Sequence, residues 1–296
     1  MSPTQTEPDK TGSSGIDQDA FLALREEGKS FAWTERDTLL YALAAGMGRD
    51  QVDPRELAFV YENENFVALP TLPVVVARSM LARTLPINLA LMLHAEQTLV
   101  LHGAMPTSGT ILADTRISQI LDKGAGKGAL IYSETVGRQT ADSAPLFTLG
   151  MVIFARGDGG FGGPSGPAPA VRTPPERPPE LVHATETRPD QALLYRLTGD
   201  RNPLHADPEF ARRAGFPAPI LHGLCTYAIA CRAVLASVCD YDPTRIARFD
   251  VRFTAPVFPG DRIETDIWRD GNLIAFRCRV PERNVVVLNN GYCVLR

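Results

Sequence analysis

The sequence has no strong excess of charge of either sign and no long apolar run. Its 296 residues carry 30 basic and 34 acidic side chains, for a formal net charge of −4, so the positive surplus that neutralises a nucleic-acid backbone is missing. No apolar run approaches the ~20 residues of a membrane-spanning helix, and residues 1–16 lack the apolar core of a signal peptide. We therefore expect a globular protein without nucleic-acid or membrane partners.

Cysteine is scarce, and no two cysteines form a CxxC pair. The five are Cys225, Cys231, Cys239, Cys278 and Cys293. An odd number without ligand spacing argues against a disulfide framework and a structural zinc site, so we expect buried free thiols. The last three residues are not the Ser-Lys-Leu peroxisomal signal, which favours a cytoplasmic protein. A peroxisomal location is the alternative for a eukaryotic source.

One segment, residues 157–180, is about half glycine and proline and is predicted to be a linker. It separates an N-terminal part, 18–156, from a C-terminal part, 181–296, and we expect a disordered leader at 1–17. Short similar motifs recur in both parts at separations of 153, 152 and 151 residues, taken from Asp37 to Asp190, Leu69 to Leu221 and Gly109 to Gly260. These nearly constant separations predict an internal duplication.

Each copy has the pattern of a helical segment, a longer apolar helix and several strands. In the second copy the long helix is predicted at 223–238, with strands at 247–254, 261–269, 273–280 and 285–295. In the first copy an apolar helix begins near residue 69, and strands are predicted at 99–101, 109–122, 129–139 and 146–155. This order indicates an α+β fold in which each apolar helix is buried in the curved face of an antiparallel sheet.

The densest polar cluster is a loop that contains Asp200, Asn202 and His205. A carboxylate and an imidazole in a loop stiffened by proline can converge on one point, which suits general acid–base chemistry, and the Asn202 amide can orient the pair or a water molecule. The alternative is that Asp200 and Asn202 only form turns. We interpret the nearby Asp207 as a helix cap.

Gly223 begins the long helix of the second copy, directly after His222. The first N–H groups of a helix have no partner inside the helix, and the helix dipole is positive there. A glycine lets a ligand oxygen approach them, as a thioester carbonyl requires when it becomes an enolate. His222 is left open between a functional role and one in local packing or hydrogen bonding.

Several strings in both copies resemble one known family. The second copy contains YRLTGDRNPLHADPEFARRAGFPAPILHGLCTYAIA, which resembles the signature of the MaoC-like, or type 2, (R)-specific enoyl-CoA hydratases. The first copy contains WTERDTLLYALAAGMG, ALPTLPVV and LDKGAGKGALIYSE. These strings are similar to the N-terminal half of the two-domain hydratase 2 found in the peroxisomal multifunctional enzyme. The resemblance runs from about residue 31 to the C-terminus.

The resemblance implies a double hot dog fold and the conversion of trans-2-enoyl-CoA to (3R)-3-hydroxyacyl-CoA in fatty-acid metabolism. Asp200 and His205 match the family's catalytic pair, Asn202 its water-orienting amide and Gly223 its oxyanion N–H. The implied substrate-binding residues are His94, Ala95, Lys123, Arg201, Pro203, Leu204 and Phe253. Ala95 stands where the family usually has glycine, so how closely the backbone approaches the ligand there is an open question.

The family also implies a homodimer that needs no metal and no cofactor beyond the CoA of its substrate. The first copy has no acid–base pair at the positions that match Asp200 and His205, so we expect one active site per chain, and the resemblance implies that the first copy holds the acyl tail. Two alternative functions are those of a hot dog thioesterase and of a non-catalytic acyl-CoA-binding module. The preferred acyl chain and the division of labour between Asp200 and His205 stay open.

Overall fold

Antiparallel strands form one continuous ten-stranded sheet in the computed structural model, which describes residues 16–79, 81–88, 91–166 and 172–296. The first five strands are β1 (Arg25–Trp33), β2 (Met92–Leu101), β3 (Gly109–Asp122), β4 (Ala129–Gln139) and β5 (Pro145–Ala155). The second five are β6 (Leu181–Glu186), β7 (Ile246–Phe253), β8 (Arg262–Asp270), β9 (Leu273–Val280) and β10 (Val285–Leu295).

The strand order repeats the same topology twice. It runs β1-β3-β4-β5-β2-β7-β10-β9-β8-β6, so each half places its strands in matching positions on either side of the centre. The halves join where β2 pairs antiparallel with β7, with Glu96 opposite Arg252 and Gln97 opposite Val251. The predicted duplication is therefore visible in the fold.

The helices are short, with one exception. They are α1 (Gln18–Ala23), α2 (Glu35–Ala44), α3 (Pro54–Leu57), α4 (Pro73–Val76), α5 (Leu81–Thr84), α6 (Gln191–Tyr195), α7 (Pro208–Arg213) and α8 (Gly223–Val238). The long helix α8 has the predicted bounds, and most of its residues are buried. A helix that is apolar on nearly all sides must be enclosed, and α8 packs against β6, β7 and β8.

The first copy differs from the sequence-based prediction because its described part has no long helix. Only the four-residue helices α4 and α5 occupy that region. Pro73 begins α4, and Ala77 leaves the helical conformation with φ −90° and ψ 67°. Pro86 disfavours a helical Leu85, so α5 does not continue into it. The expectation that each copy contains a long helix is wrong for the first copy.

Two edge strands, β1 and β6, are absent from the sequence-based prediction. Seven of the other strands match predicted ones, and the prediction for β2 covers only its last three residues, 99–101. β1 is rich in charge and most of its residues are partly or fully exposed, and β6 is short, so neither has the apolar pattern of an interior strand. No helix in the described ranges is long and apolar enough to cross a bilayer. All five cysteines are buried and free, as predicted.

The predicted leader and linker are partly packed against the fold. Residues 1–15 and 167–171 lie outside the described residues. Ile16 is buried, and Asp17 caps α1 by accepting hydrogen bonds from the N–H groups of Asp19 and Ala20. The prediction of disorder through residue 17 is therefore wrong for these two residues.

A buried ion pair joins the two copies. Glu56 of α3 accepts a hydrogen bond from the Arg232 guanidinium of α8, and both side chains are less than one-tenth exposed. The same carboxylate accepts bonds from the Tyr241 hydroxyl at 3.0 Å and from the Arg49 N–H at 2.9 Å. Three donors from separate parts of the chain therefore depend on one carboxylate.

Glu56→Ala should lower the free energy of unfolding by about 3–5 kcal/mol, because it leaves the buried arginine without a partner. Urea unfolding followed by circular dichroism measures the change. The control is Glu209→Ala, which removes an exposed pair with Arg213 and should cost no more than about 0.5 kcal/mol. Equal effects of the two substitutions would contradict the role given to Glu56.

Candidate active site

A short loop between α6 and α7 presents the predicted acid–base residues. Gly199 has φ +120°, a conformation that favours glycine. Asn202 Oδ1 accepts a hydrogen bond from the Leu204 N–H at 3.1 Å and so starts a single 3₁₀ turn, Pro203–His205. Asp200 Oδ1 accepts a hydrogen bond from the Asn202 N–H at 3.3 Å. Asn202 thus uses its side-chain oxygen to shape the loop.

The His205 ring is held by a main-chain carbonyl. Its Nδ1 lies 2.8 Å from the Ile220 oxygen, and because a carbonyl can only accept, Nδ1 carries the proton. In the neutral ring the free lone pair is therefore on Nε2. His205 is 8% exposed, so the ring is enclosed and oriented before any substrate arrives.

His222 supports this arrangement from the start of α8. Its Nε2 donates to the Asp200 carbonyl oxygen at 3.1 Å, and its ring stacks on that of His205 with 3.7 Å between centroids. Of the two interpretations left open by the sequence, these contacts favour packing and hydrogen bonding. Asp207 caps α7 by accepting bonds from the N–H groups of Glu209 and Phe210, as predicted.

The Asp200 carboxylate and the rings of His205 and His222 each offer one ligand atom within 4.8 Å of the others. Such a cluster could hold a metal ion only if the lone pairs met at one point. His205 Nδ1 and His222 Nε2 already donate to carbonyl oxygens. The remaining lone pairs lie in the planes of two stacked rings, 27° from parallel and with centroids 3.7 Å apart, whereas an ion bound by both nitrogens would have to lie in both ring planes. The geometry suits acid–base chemistry better.

The electrostatic environment favours an ionised aspartate beside neutral histidines. Burial raises the pKa of Asp200, but the positive charge of Arg78, together with His222, the Asn202 N–H and His205, outweighs burial and lowers the pKa below its ordinary value. Burial lowers the pKa of His205. Burial and the adjacent His205 lower the pKa of His222 to about 3. At neutral pH the site therefore holds a carboxylate and a neutral imidazole with a free Nε2.

Gly223 places an open N–H beside these groups. It is exposed at the first position of α8, and the preceding His222 makes no side-chain cap to the helix. A Cβ at residue 223 would lie 3.1 Å from two ring carbons of Phe253, so glycine leaves the room above the helix start. The Phe253 ring also contacts His94, with 4.9 Å between centroids. Burial lowers the pKa of His94 to about 4.

Phe253 also lines a cavity of about 560 Å³. The cavity brings together three predicted substrate-binding residues, Ala95, Lys123 and Phe253. Its other lining residues are Glu96, Lys127, Leu130, Phe154 and Arg252. Asp200 and His205 do not line it, so Phe253 is the link between the cavity and Gly223. Arg201, Pro203 and Leu204 are not brought to this cavity.

The glycine-rich loop after β3 carries both lysines of the cavity. Asp122 holds the loop by accepting hydrogen bonds from the N–H groups of Gly124, Gly160 and Gly162 at 2.7–2.8 Å. The first part of the predicted linker is thus packed against this loop and does not hang free. Lys123 and Lys127 therefore project from a braced loop next to Arg252, which gives the cavity a cationic rim.

One residue of the site was not foreseen. Arg78 belongs to the first copy, and its Nη2 lies 3.6 Å from Asp200 Oδ1. The only sequence signal was that Arg78 is the first charged residue after the uncharged run 66–77. That signal does not identify its partner, because the contact is between the two copies.

Comparisons with known proteins agree with this geometry. Residues 170–290 match the MaoC like domain, and residues 31–157 match the MFE-2 hydratase 2 N-terminal domain. The chain is 42% identical to the enoyl-CoA hydratase ChsH3 of Mycobacterium tuberculosis over 93% of this chain and 97% of that protein.

The chain belongs to the two-domain, MaoC-like enoyl-CoA hydratase 2 family. The crystal structure of a MaoC-like dehydratase from Phytophthora capsici superposes on this hydratase 2 family member with a TM-score of 0.85 and 31% identity, over 95% of this chain and 98% of that one. A M. tuberculosis protein with a double hot dog fold superposes with a TM-score of 0.56 and 13% identity, over 92% of this chain and 95% of that one. The predicted double hot dog fold is confirmed.

The buried histidines should make this hydratase 2 family member less stable in acid. In the folded protein the pKa of His222 is about 3, below its ordinary value of 6.5, so below about pH 6.5 the unfolded chain binds more protons. The free energy of unfolding should then fall as pH falls, by about 1.4 kcal/mol per pH unit for each such histidine. Urea unfolding from about pH 6.5 to about pH 4.5 measures the slope.

His222→Gln should make that slope shallower by the contribution of one proton, about 1.4 kcal/mol per pH unit. His102→Gln, at an exposed position, should leave the slope unchanged. An identical slope in wild type and His222→Gln would contradict the neutral, buried state of His222.

Proposed function

We propose that the protein adds water to trans-2-enoyl-CoA to form (3R)-3-hydroxyacyl-CoA, and catalyses the reverse dehydration, in fatty-acid metabolism. The observation that carries the proposal is that a carboxylate, Asp200, and a neutral imidazole, His205, have polar atoms within 4.8 Å of each other, next to a helix start where the exposed Gly223 follows His222, whose ring stacks on His205. The imidazole has its free lone pair on Nε2, because Nδ1 donates to the Ile220 oxygen. No other group of described residues in the chain combines these three features.

The thioester carbonyl accepts a hydrogen bond from the Gly223 N–H. This bond, together with the positive end of the α8 dipole, stabilises the negative charge that develops on the oxygen as the conjugated double bond is attacked. Because Gly223 has no Cβ to meet the Phe253 ring, the carbonyl can reach the N–H past that ring. Polarisation of the carbonyl makes C3 electrophilic.

A water molecule between Asp200 and His205 supplies the hydroxyl group. His205 Nε2 accepts a proton from the water as its oxygen forms a bond with C3, and Asp200 stabilises the imidazolium that results. The enolate then takes a proton at C2 from the same site, and Asp200 takes part in that exchange. Asp200 is ionised and the His205 Nδ1–H is bonded to the Ile220 oxygen, so neither residue brings a proton of its own to C2. The proton given to C2 is therefore the one removed from water, and the hydroxyl group and this proton add to the same face of the double bond.

The CoA portion lies along the cavity beyond Phe253. Lys123 and Lys127 line it and supply positive charge for phosphate groups, whereas the charge of Arg252 is balanced by its ion pair with Glu96. The two walls come from the two copies. The first copy, whose described residues form no long helix, accommodates the acyl tail. The reaction needs no metal and no cofactor beyond CoA itself.

The protein works as a homodimer in the cytoplasm. The five buried, free cysteines support a reducing compartment. The dimer is the assembly expected from the family resemblance of both copies.

Asp200→Asn and His205→Gln should each lower kcat for hydration of crotonyl-CoA by about 10²–10⁴-fold, because each removes a group that handles the proton. Loss of enoyl absorbance, in buffer containing a chelator, measures the rate, and circular dichroism checks the fold. Asp207→Asn, which keeps the α7 cap, is the matched control and should stay near wild type. Near wild-type hydration by both site variants, or release of free thiol by the wild type, would contradict the proposal.

Hydration in D₂O tests the single-site delivery of the proton. The product should have the 3R configuration and carry one deuterium at C2, added to the same face as the hydroxyl group. Chiral chromatography and proton NMR of the product determine the configurations at C3 and C2. Addition to opposite faces would show that the proton comes from a group outside the Asp200–His205 site.

A further inference from the structure

Arg78 fits closely against the active-site loop although it belongs to the other copy. Its Nη2 lies 3.6 Å from Asp200 Oδ1, and both side chains are 30% exposed. A Cβ at residue 199 would lie 2.8 Å from Arg78 Nη1, so any side chain there would push the guanidinium out of its present position. Gly199 also has φ +120°, which any other residue would adopt with strain.

The broken helix of the first copy puts Arg78 in this place. α4 ends at Val76, and Ala77 turns the chain out of the helical conformation. At the 152-residue separation between the copies, the counterpart of Arg78 is Ala230, which is fully buried within α8. An arginine could not occupy that counterpart position without burying its charge in the core. The interruption of the helix therefore allows a charge where the second copy needs an alanine.

Arg78 is the one permanent charge among the described groups around Asp200. The titratable groups that face the carboxylate are His205 of the same loop, His222 at the start of α8, His94 on β2 and Tyr195 at the end of α6. Burial lowers the pKa of each of the three histidines and raises the pKa of Tyr195. All four are neutral at neutral pH, so only the guanidinium supplies a positive charge to Asp200.

We propose that Arg78 is a positioning residue of the active site, a cation supplied by the copy that lacks the acid–base pair, which holds the Asp200 carboxylate ionised and in place beside His205. The proposal rests on the role of Asp200 in the proposed function. It gives the first copy a part in the chemistry itself, in addition to any part in holding the acyl tail. Arg78 acts through Asp200 and need not touch the substrate.

The carboxyl group of Asp200 can be titrated without any substrate. In protein labelled with ¹³C at the aspartate carboxyl carbons, the Asp200 signal is the one missing from Asp200→Asn. Arg78→Met should raise the pKa of Asp200 by about 0.5–1 unit, whereas Arg78→Lys should leave it within about 0.3 unit of wild type, because the charge is retained. An unchanged pKa in Arg78→Met would overturn the proposal whatever the protein's activity.

The matched control is Arg138→Met. Arg138 Nε lies 3.6 Å from Asp114 Oδ2 on the exposed face of the first copy. The substitution therefore removes an arginine–aspartate pair of the same length, but away from the active site. It should leave the Asp200 pKa and the hydration rate unchanged. Equal effects of the two substitutions would mean that Arg78 acts only through the general charge or stability of the protein, which also overturns the proposal.

Kinetics then show whether the pair matters for catalysis. Arg78→Met should lower kcat/KM for crotonyl-CoA about tenfold at neutral pH, because Asp200 stays ionised there but is no longer held in place beside His205. It should also move the acid limb of the pH profile upward by the same 0.5–1 unit, with Arg78→Lys restoring both. In the Asp200→Asn background, Arg78→Met should have no further effect. A further loss of the same size there would show that Arg78 contacts the substrate directly and would contradict the proposal. If the NMR shift appears but the wild type does not hydrate enoyl-CoA, the proposed function fails and the Arg78–Asp200 pairing stands.

Discussion

The hydrogen bond from His205 Nδ1 to the Ile220 carbonyl is the contact on which the active site depends. It fixes the tautomer of the imidazole, because a carbonyl can only accept, and it leaves Nε2 as the basic atom. Ile220 lies three residues before the first residue of α8. This bond therefore helps to set the position of the base relative to the helix N–H that is proposed to bind the thioester oxygen. The bond from His222 Nε2 to the Asp200 carbonyl and the stacking of the two rings join the same loop to the helix start.

The two copies share a strand topology but have diverged in the helix that each encloses. A continuous apolar α8 gives the second copy a rigid element that carries Gly223 at its exposed end. The corresponding segment of the first copy is broken after Val76, where Ala77 leaves the helical conformation, and the break frees Arg78 to reach the other copy's loop. Glu56 and Arg232 join the copies in the core, so the geometry between Arg78 and Asp200 is supported by buried contacts.

The interior of the fold could be predicted from sequence because buried elements carry strong local patterns. α8 and the eight inner strands have the expected periodicity or continuous apolar runs. The edge strands β1 and β6 lack these patterns, since most of their side chains face solvent at least in part. The break between α4 and α5 could not be predicted, because the sequence between Val76 and Leu81 contains no proline or glycine that would mark it.

The candidate site was partly predictable for the same reason. Asp200, Asn202 and His205 lie within six consecutive residues, so their proximity is local and their types indicate acid–base chemistry. The contact between Arg78 and Asp200 depends on how two copies pack, and the stacking of His222 on His205 depends on the path of the intervening loop. No spacing in the sequence encodes either contact.

The protonation state of His205 tests the central claim most directly. Long-range ¹H–¹⁵N correlation NMR at neutral pH, with the ring assigned from His205→Gln, distinguishes the two neutral tautomers from the imidazolium. The account predicts a neutral ring with the proton on Nδ1 and a free lone pair on Nε2. A ring protonated on Nε2, in either the other tautomer or the imidazolium, would contradict it, because His205 could not then accept a proton from water.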